Sequence, residues 1–118
     1  MTEVSYFKWA DLPQTAMTPN IDRRLVSGQK FMMVELTLAK GAIVAEHSHP
    51  HEQMTHILSG RLEFHTQGEK RVLGRGELVH LPSNVPHEAV ALEDSVTLEI
   101  FSPPREDFLS GAKADYMK

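Results

Sequence analysis

The chain has 118 residues, with 12 Lys and Arg against 16 Asp and Glu for a formal charge of -4, and it contains no cysteine. That length suits one domain and is too short for two ordinary cores; roughly two-thirds of the unfolded surface can be buried at this size, so no disulfide staple is required. The composition excludes a thiolate metal site and a cysteine nucleophile, offers no basic cluster for nucleic acid, and fits a reducing cytoplasmic location. No run approaches the ~18 to 20 apolar residues a membrane-spanning helix needs, and the first fifteen residues lack the basic and apolar regions of a secretory signal. Seven histidines, most of them between His47 and His87, stand out.

In chain order, residues 1–20 carry scattered apolar side chains and two prolines, which predicts an irregular lead-in or an edge strand. Short runs rich in Val, Ile, Leu and Phe then follow, separated by Gly and Pro: Lys30 to Ala39, Ile43 to Ala45, Met54 to Leu58, Arg61 to Thr66, Arg71 to Leu73, Leu78 to Leu81, Glu88 to Leu92 and Val96 to Phe101. Such spacing predicts an all-β barrel or sandwich. Ser59-Gly60 and Gln67-Gly68 each divide two runs as a tight hairpin would, and Gly74-Arg75-Gly76 supplies further permissive backbone positions. Only the tail from about Arg105 to Leu109, after Pro103-Pro104, suits a short helical turn. The expected organisation is one domain over residues 1–118, with a lead-in at 1–20, a barrel at 30–101 and a tail at 102–118.

The segment from Glu46 to Gln53 carries the strongest chemical signal. In an extended stretch His47 and His49 share a face, so their imidazoles could grip one metal ion, and Gln53 offers an amide oxygen. Pro50 interrupts the strand, so parity says nothing about His51. A fourth ligand must come from elsewhere, and His87, just after Pro86, is the best candidate. Because His-x-His pairs also occur on solvated strands, spacing alone leaves the assignment open; His56, His65 and His80 are expected on strand surfaces.

Here the chain resembles the cupin superfamily. Its first motif, Gly, five residues, His-x-His, three or four residues, Glu, six residues, Gly, is matched by Gly41, His47, His49, Gln53 and Gly60. The second, Gly, five residues, Pro-x-Gly, two residues, His, three residues, Asn, is matched by Gly76, Pro82, Asn84, His87 and Ala91. The resemblance implies a single-domain jelly-roll barrel, or double-stranded β-helix, holding one divalent transition metal ion (Ni, Zn, Mn or Fe) through His47, His49, Gln53 and His87. Asn84 stands where the family has a turn Gly, a mild change because Asn tolerates left-handed backbone. Ala91 replaces an Asn that is not a usual ligand. Gln53 in place of Glu matters more: three neutral imidazoles and a neutral amide leave the +2 charge uncompensated, which favours an anionic ligand and strengthens Lewis acidity.

The tail from Glu99 to Phe108, together with the His47 to Gln53 segment, looks like the small cupins of the pectin-degradation KdgF type. That resemblance implies a metal-dependent enzyme that opens the ring of 4,5-unsaturated uronates to a linear keto-acid. By position it assigns the catalytic carboxylate to Glu99, where the family more typically has Asp. It places Phe101 near the sugar and Arg105 at the uronate carboxylate with a catalytic role. His51, read from its position between the ligand candidates rather than from the resemblance, is expected to touch a ligating side chain or the substrate. Alternation independently puts Glu99 and Phe101 on one face of a strand. The expected partners are a small anionic sugar or acid and a second copy of the chain in a homodimer. Two other readings remain: a quercetinase-like dioxygenase acting on a flavonol or diketone, and a non-catalytic cupin that binds a small acid or sugar.

Overall fold

A computed structural model describes residues 3–110. Its strands are β1 (Thr15–Thr18), β2 (Ile21–Ser27), β3 (Met32–Leu38), β4 (Ile43–His47), β5 (Glu52–Ser59), β6 (Arg61–Thr66), β7 (Glu69–Gly74), β8 (Leu78–Leu81), β9 (His87–Ala91) and β10 (Ser95–Ser102), followed by the helical turn α1 (Glu106–Leu109). They form two antiparallel sheets, one of order β1-β2-β3-β10-β5-β8 and one of order β4-β9-β6-β7. The architecture is the expected single-domain all-β barrel of two facing sheets.

Alternation decides which side chains meet between the sheets. On β3, Met32, Val34, Leu36 and Leu38 are buried while the residues between them are not, and β9 alternates in the same way through His87, Ala89 and Ala91. Leu62 and Phe64 of β6 complete the opposite wall. The interior is mostly apolar, so the polar residues that also point inward, among them Arg23, Gln53, Thr55, His87 and Arg105, cost desolvation and stand out as candidates for function.

The sheet starts earlier than the expected barrel boundary at residue 30, since β2 pairs with β3 along its whole length. The adjacent charges of Asp22, Arg23 and Arg24 hide its alternation, because Arg23 is a charged side chain on the buried face. Residues 15–18 form the edge strand anticipated for the lead-in. The part of the expected tail at 111–118 lies outside the described residues.

Gln67-Gly68 is the two-residue hairpin foreseen, both residues having positive φ (53° and 76°) between the paired Thr66 and Glu69. Ser59-Gly60 corrects the expectation of a second hairpin: β5 and β6 belong to different sheets, so this turn carries the chain across the barrel. Gly60 has φ +84°, and a Cβ built there would collide with Ser95 Oγ and the Asp94 carbonyl oxygen. Gly60→Ala is therefore expected to destabilise the protein by on the order of 2 to 4 kcal/mol, read as a lowered thermal midpoint. A wild-type midpoint would show that the corner relaxes freely.

Candidate metal centre

His47 is the last residue of β4 and sits directly across from His87, the first residue of β9. Between the pairs Val44–Ala89 and His47–His87 the first strand spends one residue more than the second, a β-bulge that re-aims His47. Gln53 lies on β5. His49 is in the loop joining β4 to β5 rather than on a strand, so strand parity is not what brings it beside His47. That loop is pinned by Asn84, which has φ +66° and whose backbone N–H donates to the His49 carbonyl at 2.8 Å. The tolerance of Asn for left-handed backbone thus shapes the site directly.

The three imidazoles are oriented by the same device. Each Nδ1 donates to a backbone carbonyl: His47 to Ala45 at 2.7 Å, His49 to His51 at 3.0 Å and His87 to Val85 at 2.9 Å. A carbonyl only accepts, so the proton is on Nδ1 and the lone pair on Nε2, as is usual for metal-ligating histidines. The ligand atoms of the three lie within 4.8 Å of one another. His87 Nε2 is buried with no hydrogen-bond partner, a costly arrangement that a cation would relieve. Gln53 turns its Oε1 to within 2.9 Å of His49 Nε2 while its Nε2 donates to Thr55 Oγ1 at 2.9 Å. His47, His49 and His87 could therefore hold one metal ion, with the Gln53 amide oxygen turned toward them.

Desolvation by burial, with added repulsion from Arg105 and neighbouring imidazoles, lowers the pKa of His47 and of His49 from 6.5 to about 4, and burial also lowers that of His87. All three are neutral at physiological pH, the form that binds metal. In chelator-treated protein the unfolded chain takes up these protons below pH 6.5 while the folded chain resists them. Stability should then fall as pH drops from about 6.5 toward 4, by more than Glu99 returns over part of that range. Thermal melts across that window check this; a flat midpoint would show that the imidazoles already protonate in the folded state.

Beneath the histidines lies a cavity of ≈ 30 Å³, bordered by His47, Gln53, His87, Glu99, Phe101 and Arg105 with apolar side chains below. It has room for about two waters. Burial raises the Glu99 pKa from 4.5 to about 7, the effect of desolvation exceeding the opposing pull of Arg105. Glu99 and Phe101 do share the inward face of β10, and Phe101 pairs with Gln53 across the sheet. Arg105, 4% exposed, lies with its guanidinium carbon 5.2 Å from the Phe101 ring centroid. His51 is half-buried beside His49, with ring centroids 5.5 Å apart, at an open vestibule of ≈ 780 Å³ that Arg105 also lines.

The remaining histidines lie apart from this centre. His65 bridges Glu63 at 2.6 Å and Glu88 at 2.8 Å, and His80 meets Glu52 at 2.7 Å. Arg23, Thr55, Asp107 and Phe108 were not foreseen as parts of the site. Arg23 stacks on Phe108 at 4.3 Å from the ring centroid, and Phe108 in turn stacks on Arg105 at 4.1 Å. A polar residue among inward-facing apolar positions, such as Arg23 between Ile21 and Leu25, is the sequence signal that could have found one of them.

Comparison with known proteins agrees with this geometry. A family model described as "Cupin domain" matches residues 34–102. "Pectin degradation protein KdgF" of Dickeya dadantii (strain 3937) is 36% identical over 107 residues, covering 88% of this chain and 97% of the relative. The solved structure of KdgF from Halomonas sp. superposes with a TM-score of 0.85 at 32% identity, covering 90% of this chain and 99% of that one. An RmlC-like cupin from Shewanella frigidimarina NCIMB 400 gives a TM-score of 0.83 at 26% identity, covering 92% and 99%. With the two-sheet barrel, the histidine cluster and these relatives together, the chain belongs to the cupin family, as a small single-domain member similar to the KdgF proteins.

Proposed function

We propose that the chain is a metal-dependent enzyme that opens the ring of 4,5-unsaturated uronate monosaccharides to a linear keto-acid during pectin or alginate breakdown. The observation that carries this reading is the cavity shared by the Glu99 carboxyl, Arg105 and the neutral imidazoles of His47 and His87, which cluster with that of His49. A relative whose name ties it to pectin degradation supports the substrate class. A divalent ion held by His47, His49, Gln53 and His87 would supply Lewis acidity for developing negative charge on oxygen, undiminished by the neutral donor set.

The chain's own residues do the rest. Arg105 holds the uronate carboxylate, for which its planar fork is suited, and Phe101 offers an aromatic face to the sugar. Glu99 takes the proton of the anomeric hydroxyl as the bond between C1 and the ring oxygen breaks. The aldehyde forms at C1, the ring oxygen becomes an enolate oxygen, and Glu99 returns the proton to C4 to give the ketone. No atom is gained or lost. A pKa near 7 keeps both forms of Glu99 accessible, and a nearby cation would lower it.

The test follows the absorbance of the conjugated uronate released by a lyase. Metal-replete protein should accelerate its loss, and a chelator should abolish the acceleration; no acceleration would overturn the reading in favour of oxidative chemistry or ligand binding. The reading includes a cytoplasmic homodimer, supported by the exposed Met54, Leu58, Leu78 and Ile100 on the outer face of the six-stranded sheet. Light scattering should give a dimer mass, and a monomer at micromolar concentration would rule that part out. Among the described residues, no helix is long and apolar enough to cross a membrane.

A further inference from the structure

The fork of Arg105 already holds a carboxylate. Its Nε donates to Asp107 Oδ1 at 3.2 Å and its Nη2 to Asp107 Oδ2 at 2.7 Å, the side-on bidentate geometry an external carboxylate would use. The two partners are unequally placed: the Arg105 side chain is 4% exposed and that of Asp107 33%. Arg105 borders both the inner cavity and the vestibule, whereas Asp107 lines only the vestibule. The inner cavity, at ≈ 30 Å³, is too small for a whole sugar and can admit only its reacting edge beside Glu99, whereas the vestibule, at ≈ 780 Å³, is ample for the rest. A ligand of monosaccharide size therefore approaches Arg105 from the side on which Asp107 stands.

We infer that Asp107 is a built-in counter-ion of the carboxylate site, occupying the side-on edge of Arg105 until an anionic ligand exchanges with it. The inference rests on the carboxylate-binding role proposed above for Arg105, though not on the ring-opening reaction. The neighbouring residue makes such an exchange local. Phe108 is buried and stacked between the arginines, 4.1 Å from the Arg105 guanidinium carbon and 4.3 Å from that of Arg23, so the turn stays anchored while the Asp107 side chain rotates into the vestibule. Among the described residues, the other hydrogen bond to the Asp107 carboxylate that rotation breaks is that from the Phe108 N–H to Oδ1, at 3.1 Å.

Exchange also confers selectivity. Asp107 is tethered two residues from Arg105 and competes at high effective concentration, so a simple anion such as acetate replaces it one for one and gains nothing. A ligand with a carboxylate and a second group that reaches the histidine cluster gains a further contact and wins the exchange. The fork is thereby kept paired against ordinary cellular anions.

Calorimetric titration of the metal-loaded protein with galacturonate, and with neutral galactose as control, tests this. Asp107→Asn keeps an oxygen for the Phe108 N–H but removes the competing charge. It should tighten galacturonate roughly fivefold or more, leave galactose unchanged, and make acetate binding measurable. If the Asn variant melts early, Asp107→Ser should show the same gain. Wild-type protein that prefers galacturonate to galactose, combined with unchanged or weaker binding in both variants, would overturn the exchange and make Asp107 a residue that orients Arg105. Wild-type protein with no such preference, and with an unchanged affinity in Arg105→Ala, would instead remove the carboxylate role of Arg105 and the inference with it.

Discussion

Glu99→Gln is expected to lower kcat for the unsaturated uronate by roughly 10²- to 10⁴-fold, the range typical of removing a general acid–base group, while KM changes little. Gln keeps the shape and one oxygen but cannot move a proton. The same substitution should raise stability, which separates a functional carboxyl from a structural one. The folded pKa of Glu99 is raised from 4.5 to about 7 because burial disfavours its charged form. Between those values the folded chain holds a proton on Glu99 that the unfolded chain has released, so the contribution of Glu99 to stability, set against the larger opposite one of the histidines, declines as pH rises from 4.5 to 7, and that loss persists above 7. Chelator-treated Glu99→Gln should therefore melt higher than wild type at pH 8, with the gap closing toward pH 4.5. Lower activity and a lower melting point together at pH 8 would mark Glu99 as part of the packing instead.

His87→Ala is expected to weaken binding of the divalent ion by more than about 100-fold, since loss of even an outer-shell partner typically costs 10- to 100-fold. His87 is 3% exposed, and its Nε2 has no other partner among the described residues, so neither solvent nor a nearby side chain stands ready to replace it. Metal content after purification and a calorimetric titration would measure the loss. His80→Ala provides the control, because His80 pairs with Glu52 away from the centre and should leave affinity unchanged. Equal metal content in the His87 and His80 variants would show that the ion, if any, is held elsewhere. A far-ultraviolet spectrum that stays β-rich in His87→Ala would exclude unfolding as the cause of its loss.

By itself the sequence determined the barrel and most of the metal centre, because both are written in local spacing. Two-residue alternation marks β3, β6 and β10 whichever strands they pair with, and the intervals among His47, His49, Gln53 and His87 match a motif whose members converge. Asn84 was legible for a related reason: left-handed backbone is a property of one residue. Tertiary structure alone decided what depends on partners distant in sequence. Ser59-Gly60 has the chemistry of a hairpin and of a sheet-crossing corner alike, and the close approach of Ser95 distinguishes them. Arg23 looks like surface charge until β2 takes its place beside β3 and the guanidinium is buried against Phe108. The pairing of Arg105 with Asp107 was foreseeable as a surface contact; its position between a small cavity and an open vestibule was not, because a pocket's size is set by packing over the whole barrel rather than by any segment of the chain.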